Sequence, residues 1–188
     1  MPFGSYQISR EEAVSNALRF VKEANANGVK VESSLDFVDT VKSIVKSGIP
    51  VMGHIGLLPQ QILNLGKYKV QGKTYESAKK IIDTAKALED AGCFCIVLEC
   101  IPAALAGLIT EKLTIPTIGI GSGPLCDGQV LVTQDLLGLT LQEHMPKFVR
   151  QYRNWKEDFT NAVKEFKKDV LQERFPREKE SFSMEMKQ

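Results

Sequence analysis

The chain has 188 residues, of which 43% are hydrophobic and 25% charged, the balance of a globular protein of one domain. Its 24 basic and 23 acidic residues leave a net charge of +1, which gives no electrostatic basis for binding nucleic acid or an anionic membrane. No secretory leader opens the sequence and no apolar run approaches ~20 residues, so we expect a cytoplasmic protein that does not span a membrane. The four cysteines form no Cys-x-x-Cys pair and there are only two histidines, so the sequence has no pattern that predicts a structural zinc site.

Helices and strands alternate through the first part of the chain. A capping box of Ser9 and Glu12 begins a helix with an apolar stripe, and Gly28 ends it. VKVESS follows as a short strand, and the next helix is predicted over about 35–46. IPVMGHIG is then predicted as a second strand with a glycine-rich exit.

The same alternation continues toward the end of the chain. A clear amphipathic helix is predicted over 75–90, and CFCIVLE follows it as a strand. The next helix has Pro102 in its first turn, where the missing N–H costs nothing. PTIGIGSG is predicted as a further strand and QVLVTQDLLG as one more strand with its exit loop, and a long amphipathic helix around 155–171 precedes a charged tail, 174–188.

Nearly continuous apolar strands that alternate with helices predict an α/β fold with a parallel sheet buried on both faces. About five strands are expected, and their centres lie near Val29, Val51, Ile96, Ile118 and Val130. An open doubly wound sheet would accommodate five strands, whereas a complete (βα)8 barrel needs eight and typically ~250 residues. We predict one catalytic domain over 1–188, with 174–188 as its tail.

Polar residues fall where functional residues of parallel α/β folds lie, at the carboxyl ends of the strands. Lys30 and Glu32 are two residues apart and therefore point to the same side of their strand, while His54 and Glu99 belong to the next two strands. Two carboxylates, a lysine and a histidine at one site could bind a hard cation and move protons. Structural alternatives stay open: a Lys30–Glu32 ion pair, a hydrogen-bonded core histidine, and neutralisation of Glu99 by a distant lysine or arginine.

Several motifs, in order along almost the whole chain, resemble the ketopantoate hydroxymethyltransferase (3-methyl-2-oxobutanoate hydroxymethyltransferase) family. They are PFGSY, VKVESS, VMGHIGLLPQ, YKVQGK, GCFCIVLECIP, IPTIGIGSGPLCDGQVLV and DLLGL. The resemblance implies a (βα)8 TIM barrel that transfers a hydroxymethyl group from 5,10-methylenetetrahydrofolate to 3-methyl-2-oxobutanoate, usually with Mg²⁺. It also implies a cytoplasmic homo-oligomer that makes 2-dehydropantoate for pantothenate biosynthesis.

The matching motifs assign a role to each candidate residue. Glu32 matches a metal-site carboxylate, Lys30 a substrate-binding lysine, Glu99 the proposed proton acceptor and His54 an active-site histidine. Elementary chemistry agrees, because Mg²⁺ chelated by an oxo acid polarises its carbonyl and acidifies the neighbouring C–H. Removing that proton needs a carboxylate in a partly desolvated setting, which Glu99 has at the end of an apolar strand. Lys30 would offset the substrate's charge and stabilise the developing enolate.

The sequence departs from the family pattern at its start. The family carries a GDS-type motif and an aspartate immediately before the stretch that matches Met1–Phe3, and both family aspartates bind the metal. Neither position exists here. We therefore expect an incomplete barrel that retains about strands four to eight, binds Mg²⁺ weakly and has little or no transferase activity alone. The alternatives are an inactive family remnant that acts as a subunit or interaction partner, and another carbon–carbon bond enzyme of the phosphoenolpyruvate-using barrel superfamily.

Overall fold

A computed structural model describes residues 1–66, 68–140 and 145–184 and contains two compact units, Met1–Val130 and Leu131–Gln188. The helices of the first unit are α1 (Arg10–Ala24), α2 (Val38–Lys46), α3 (Ile62–Leu65), α4 (Tyr75–Asp90) and α5 (Ala103–Lys112). Its strands are β1 (Val29–Glu32), β2 (Val51–Gly56), β3 (Cys95–Glu99), β4 (Thr117–Ile120) and β5 (Gly128–Gln129). The second unit contains α6 (Thr133–Leu136) and α7 (Trp155–Leu171).

The five strands form one parallel sheet in the order β1-β2-β3-β4-β5. Connections between parallel strands are almost always right-handed, so strands added in sequence at one edge send their helices to one face of the sheet. A doubly wound sheet instead reverses its strand order at a switch point, and the described sheet has no reversal. The predicted α/β class is therefore confirmed, and the connectivity is that of consecutive barrel strands.

Alternation along each strand separates a helix-facing side from a second side that carries the candidate residues. Val31, Ile55 and Leu98 face the helices and are completely or almost completely buried in the apolar core. Burying each of these side chains stabilises the fold by about 1.5–3 kcal/mol. Since Glu32 and Glu99 lie one residue beyond Val31 and Leu98, they point to the other side of the sheet.

The predicted helices over 75–90 and 155–171 are confirmed by α4 and α7, whose bounds are Tyr75–Asp90 and Trp155–Leu171. The predicted last strand is present but short: β5 covers Gly128–Gln129, the N–H of Val130 still donates to Gly119 O at 3.0 Å, and residues 133–136 of the predicted exit loop form a helix. A short polar run with an aspartate in the first turn favours that helix through the helix dipole. Pro102 lies at the N-cap position of α5, one residue earlier than expected.

In the second unit, the end of α6 and the residue after it are hydrogen-bonded to the segment that leads into α7 and to the first residue of α7. The N–H of Tyr152 donates to Leu136 O, and the N–H of Trp155 donates to Leu137 O. The last four residues of the predicted tail, 185–188, lie outside the described residues. Across the ranges that the structure describes, no helix combines the length and apolar character needed to cross a bilayer.

Candidate active site

Three of the four predicted site residues come together at the carboxyl ends of neighbouring strands. Glu32 is the last residue of β1 and pairs in register with His54 of β2. Glu99 is the last residue of β3 and pairs with Gly56, two residues beyond His54. Because side chains two residues apart share a face, the parallel register brings Glu32, His54 and Glu99 to one edge of one face.

His54 and Glu99 are in direct contact. His54 Nε2 lies 2.9 Å from Glu99 Oε2, and the two side chains are only 4% and 15% exposed. The distance is that of an ion pair, but neither ring nitrogen makes a well-aligned hydrogen bond with any group that the structure describes. Buried polar atoms are rarely left unpaired, since each costs about 1–3 kcal/mol of desolvation. Nε2 therefore faces Glu99, and Nδ1 is left without a described partner, so that a bound substrate or water could bond to it.

Glu32 carries a buried carboxylate that retains unused lone pairs. The backbone N–H of Gln60 donates to Oε2 at 3.1 Å and, less closely, to Oε1 at 3.4 Å. Burial raises the pKa of Glu32, and the neighbouring His54 and the Gln60 N–H oppose that rise. Because a carboxylate can accept about four hydrogen bonds, a single N–H donor leaves room for a cation.

Lys30 shares the face of Glu32 but is not joined to it. Within the described ranges, Lys30 forms no ion pair with a carboxylate, and Glu32 forms none with a lysine or arginine. Glu99 is paired with His54. Lys30 instead borders a cavity of about 550 Å³, together with Met52 and Phe94, toward the amino ends of the strands. Lys30 nevertheless lies only two residues before Glu32 in β1, near enough that its charge, with those of other neighbours, opposes the burial that raises the pKa of Glu32.

The end of β3 is fixed by residues that the sequence motifs did not single out. Gly56 has φ +96°, and a Cβ built there would lie 2.2 Å from the carbonyl oxygen of Glu99. The N–H of Leu57 donates to the same oxygen at 2.8 Å. Completely buried Ser122 donates from Oγ to Leu98 O at 2.7 Å. Only the glycine after HI in VMGHIG offered a signal, since glycine is the residue that tolerates positive φ and close backbone approach.

Cys100, directly after Glu99, has a left-handed backbone with φ +49°. Its N–H donates to Ile120 O at 2.9 Å, and its carbonyl accepts the N–H of Gln71 at 2.8 Å. A non-glycine residue in this region is uncommon and is held there by its surroundings. The sharp turn at Cys100 ends β3 at Glu99 and leaves that carboxylate at the rim of the sheet.

The residues present fit part of a magnesium site. Mg²⁺ prefers octahedral oxygen coordination and is usually held by one or two carboxylates, with water and substrate oxygens completing the shell. Glu32 supplies one such carboxylate, buried and with free lone pairs. The described part of the chain contains no cluster of three or more His, Cys, Asp or Glu side chains arranged for a metal ion. Most ligands of an ion at Glu32 would therefore be substrate and water oxygens.

Comparison with known proteins shows which family has these motifs. The sequence profile described as ketopantoate hydroxymethyltransferase matches residues 1–178. The chain belongs to the ketopantoate hydroxymethyltransferase family. Membership confirms the resemblance that the ordered motifs indicated, and Glu32, His54 and Glu99 all lie within the matched range.

Relatives named 3-methyl-2-oxobutanoate hydroxymethyltransferase are similar over nearly the whole chain. The protein of Pseudothermotoga lettingae is 55% identical over 182 residues, covering 97% of this chain and 68% of its own length. That of Carboxydothermus hydrogenoformans is 53% identical over 184 residues, with 98% and 66% covered. That of Syntrophomonas wolfei is 51% identical over 184 residues, again with 98% and 66% covered. The chain therefore spans about two thirds of the length of these hydroxymethyltransferases.

Solved structures give a weaker likeness. A putative lyase/mutase from Burkholderia cenocepacia is similar over 93% of this chain and 59% of its own, at 14% identity and a TM-score of 0.44. A similarity this low says nothing about the chemistry of the candidate active site.

Proposed function

We propose that the protein transfers a hydroxymethyl group from 5,10-methylenetetrahydrofolate to 3-methyl-2-oxobutanoate and so forms 2-dehydropantoate. The observation that carries the proposal is the position of the Glu99 carboxylate, which is only 15% exposed at the end of an apolar strand. It contacts the imidazole of His54, whose ring nitrogens make no well-aligned hydrogen bond in the described structure. Family membership supports the choice of substrates.

Glu99 acts as the base in this proposal. Its carboxylate takes the C3 proton of the oxo acid, and no described lysine or arginine is paired with it to occupy the accepting oxygens. His54 holds Glu99 in place through the 2.9 Å contact. Nδ1 of His54 has no described partner and is the ring nitrogen left to bond to the substrate or to a water.

Glu32 would hold the proposed Mg²⁺, and Lys30 would bind the substrate's carboxylate. When bound, the ion supplies Lewis-acid polarisation of the ketone. Lys30 is exposed and forms no ion pair among the described side chains, so its ammonium is available to an anionic substrate. The enolate carbon then forms the new C–C bond to the one-carbon unit, tetrahydrofolate leaves, and water supplies the hydroxyl oxygen.

The proposal extends to the setting of the protein. Both substrates are small molecules, and we propose a cytoplasmic homo-oligomer, as family resemblance implies. Neither nucleic acid nor a membrane has a part in the reaction. The expectation of little transferase activity for this chain alone stays a prediction.

Product formation tests the function. We would incubate the folded chain with both substrates and Mg²⁺ and follow 2-dehydropantoate by NMR, beside Lys30→Met and the exposed control Glu111→Gln. Lys30→Met is expected to raise KM for the oxo acid about tenfold or more, since it removes a charged contact, while Glu111→Gln leaves it unchanged. Any product supports the function and overturns the expectation of low activity. Neither product nor C3 proton exchange from folded protein would contradict the proposal and favour the inactive remnant.

A further inference from the structure

Glu32 is contacted by a short turn that follows β2. The 3-10 turn Pro59–Gln61 presents the backbone N–H of Gln60 to the Glu32 carboxylate, 3.1 Å from Oε2. Among the described residues, this N–H is the one group that donates a hydrogen bond to the Glu32 side chain. The orientation of the carboxylate therefore depends on where the turn holds Gln60.

The side chain of Gln60 is tied to the N-terminal loop by three hydrogen bonds. Its Oε1 lies 2.9 Å from the Tyr6 hydroxyl and 3.3 Å from Gln7 Nε2, and its Nε2 donates to Met1 O at 2.9 Å. Gln7 Oε1 accepts the N–H of Gly4, so Gln7 Nε2 is the atom that donates to Gln60 Oε1. The carbonyl oxygen of Met1 can only accept, so the Gln60 atom that faces it must be the amide nitrogen and the other must be the amide oxygen.

These assignments require Tyr6 to donate. Its hydroxyl faces an amide oxygen, which has no proton to give. Tyr6 is 2% exposed and packs edge-on against Phe37 at 5.9 Å between ring centroids. Burial raises the pKa of Tyr6 to about 12, so the phenol keeps its proton over the working pH range.

We propose that Tyr6 and Gln60 are positioning residues for Glu32, and that the Tyr6 hydroxyl acts through the Gln60 side chain to hold the carboxylate ready for a divalent cation. The inference rests on the proposed function, because it takes Glu32 as the cation ligand. Outer hydrogen-bond partners of metal ligands commonly set ligand orientation and metal affinity. Loss of the hydroxyl leaves the Gln60 oxygen with one donor in place of two, and the turn and its N–H then move more freely.

Four variants separate this role from general stability. Tyr6→Phe removes only the hydroxyl, and Gln60→Met removes the amide but keeps the backbone N–H. The double variant tests whether Tyr6 acts on Glu32 through Gln60 or independently of it. Tyr75→Phe is the matched control, since Tyr75 is 80% exposed and its hydroxyl makes no hydrogen bond in the described structure.

Two measurements read the outcome, and neither depends on turnover. Hydrogen exchange by NMR reports the protection of the Gln60 amide, and EPR of free Mn²⁺ reports binding of Mn²⁺ alone, with Glu32→Gln as the loss control. Tyr6→Phe and Gln60→Met should each lower Gln60 protection roughly fivefold, as expected for one hydrogen bond. Each should also lower Mn²⁺ affinity about tenfold. The double variant should be no worse than the stronger single one, and Tyr75→Phe should match the wild type.

The inference is overturned by an unprotected Gln60 amide in the wild type, by additive effects in the double variant, or by unchanged Mn²⁺ affinity in Tyr6→Phe. Wild-type protein that binds no Mn²⁺ overturns it as well, because Glu32 then has no cation to hold. Failure of the proposed function gives a different result: neither product nor C3 exchange appears, although Gln60 protection and Mn²⁺ binding follow the expected order.

Discussion

Replacing Gly56 with alanine tests how the end of β3 is held. Gly56 follows His54 by two residues, and its neighbour Leu57 donates its N–H to the carbonyl of Glu99 at 2.8 Å. The added Cβ would lie 2.2 Å from that carbonyl oxygen and 2.9 Å from Ile101 Cγ2. Real Cβ atoms do not approach this closely, so β2 and the exit of β3 must separate.

The loss of stability follows from two contributions. Gly56 has φ +96°, where an alanine is strained by about 1–3 kcal/mol. Separating the strands also weakens the Leu57–Glu99 hydrogen bond, worth about 1 kcal/mol. We therefore expect Gly56→Ala to lower the free energy of unfolding by about 2–4 kcal/mol.

Gly48→Ala supplies the control for backbone strain alone. Gly48 has φ +89°, almost the same as Gly56, but a Cβ there meets no atom within 4 Å. Urea unfolding followed by circular dichroism should show a loss of only about 1 kcal/mol for Gly48→Ala, near the lower end of the strain range. Equal losses in the two variants would refute the reasoning, because the contact with Glu99 would then contribute nothing.

Three further predictions concern other parts of the first unit. Hydrogen bonding to Lys86 lowers the pKa of Glu89 to about 2, so the stability that Glu89 provides is present above pH 4.5 and is lost as the pH falls toward 2. In a series of urea-unfolding experiments over this pH range, the free energy of unfolding of Glu89→Gln should therefore change less than that of the wild type. Burial raises the pKa of Cys93 to about 12 and that of Cys100 to about 11, so both thiols should react with a disulfide reagent at pH 8 only after unfolding, as mass spectrometry of the labelled protein can show. Ser122→Ala removes a buried hydroxyl that donates to a β3 carbonyl, and urea unfolding should show a loss of about 1–2 kcal/mol.

The fold was largely predictable because its signals are local. The apolar stripe of the helix over 75–90 and the apolar run CFCIVLE each follow one periodicity, and both elements are present. The meeting of Glu32, His54 and Glu99 also follows from the sequence, since parallel strands end at one edge. The strand predicted around Val130 is present but short, because sheet pairing there depends on a neighbouring strand, and only two residues pair with β4.

The supports of the site were not predictable from local pattern. Gln60 reaches Glu32 across 28 positions and Tyr6 reaches Gln60 across 54, separations that no periodicity reports. The left-handed backbone of Cys100 has no residue signature either, because a cysteine gives no preference for positive φ. Lys30 shows the opposite case, since its spacing from Glu32 predicted a shared face correctly but could not show that the two side chains form no direct ion pair in the described structure.

Exchange of the C3 proton of 3-methyl-2-oxobutanoate in D₂O with Mg²⁺ tests most directly whether Glu99 is the base. Enolisation needs only the oxo acid, a polarised ketone and one base, so the folate substrate is not required. NMR should show exchange with the wild type and with Glu111→Gln, and a rate at least about 100-fold lower with Glu99→Gln, the usual contribution of a general base. Exchange that proceeds equally fast in Glu99→Gln, or that is absent from folded wild-type protein, would contradict the role assigned to Glu99.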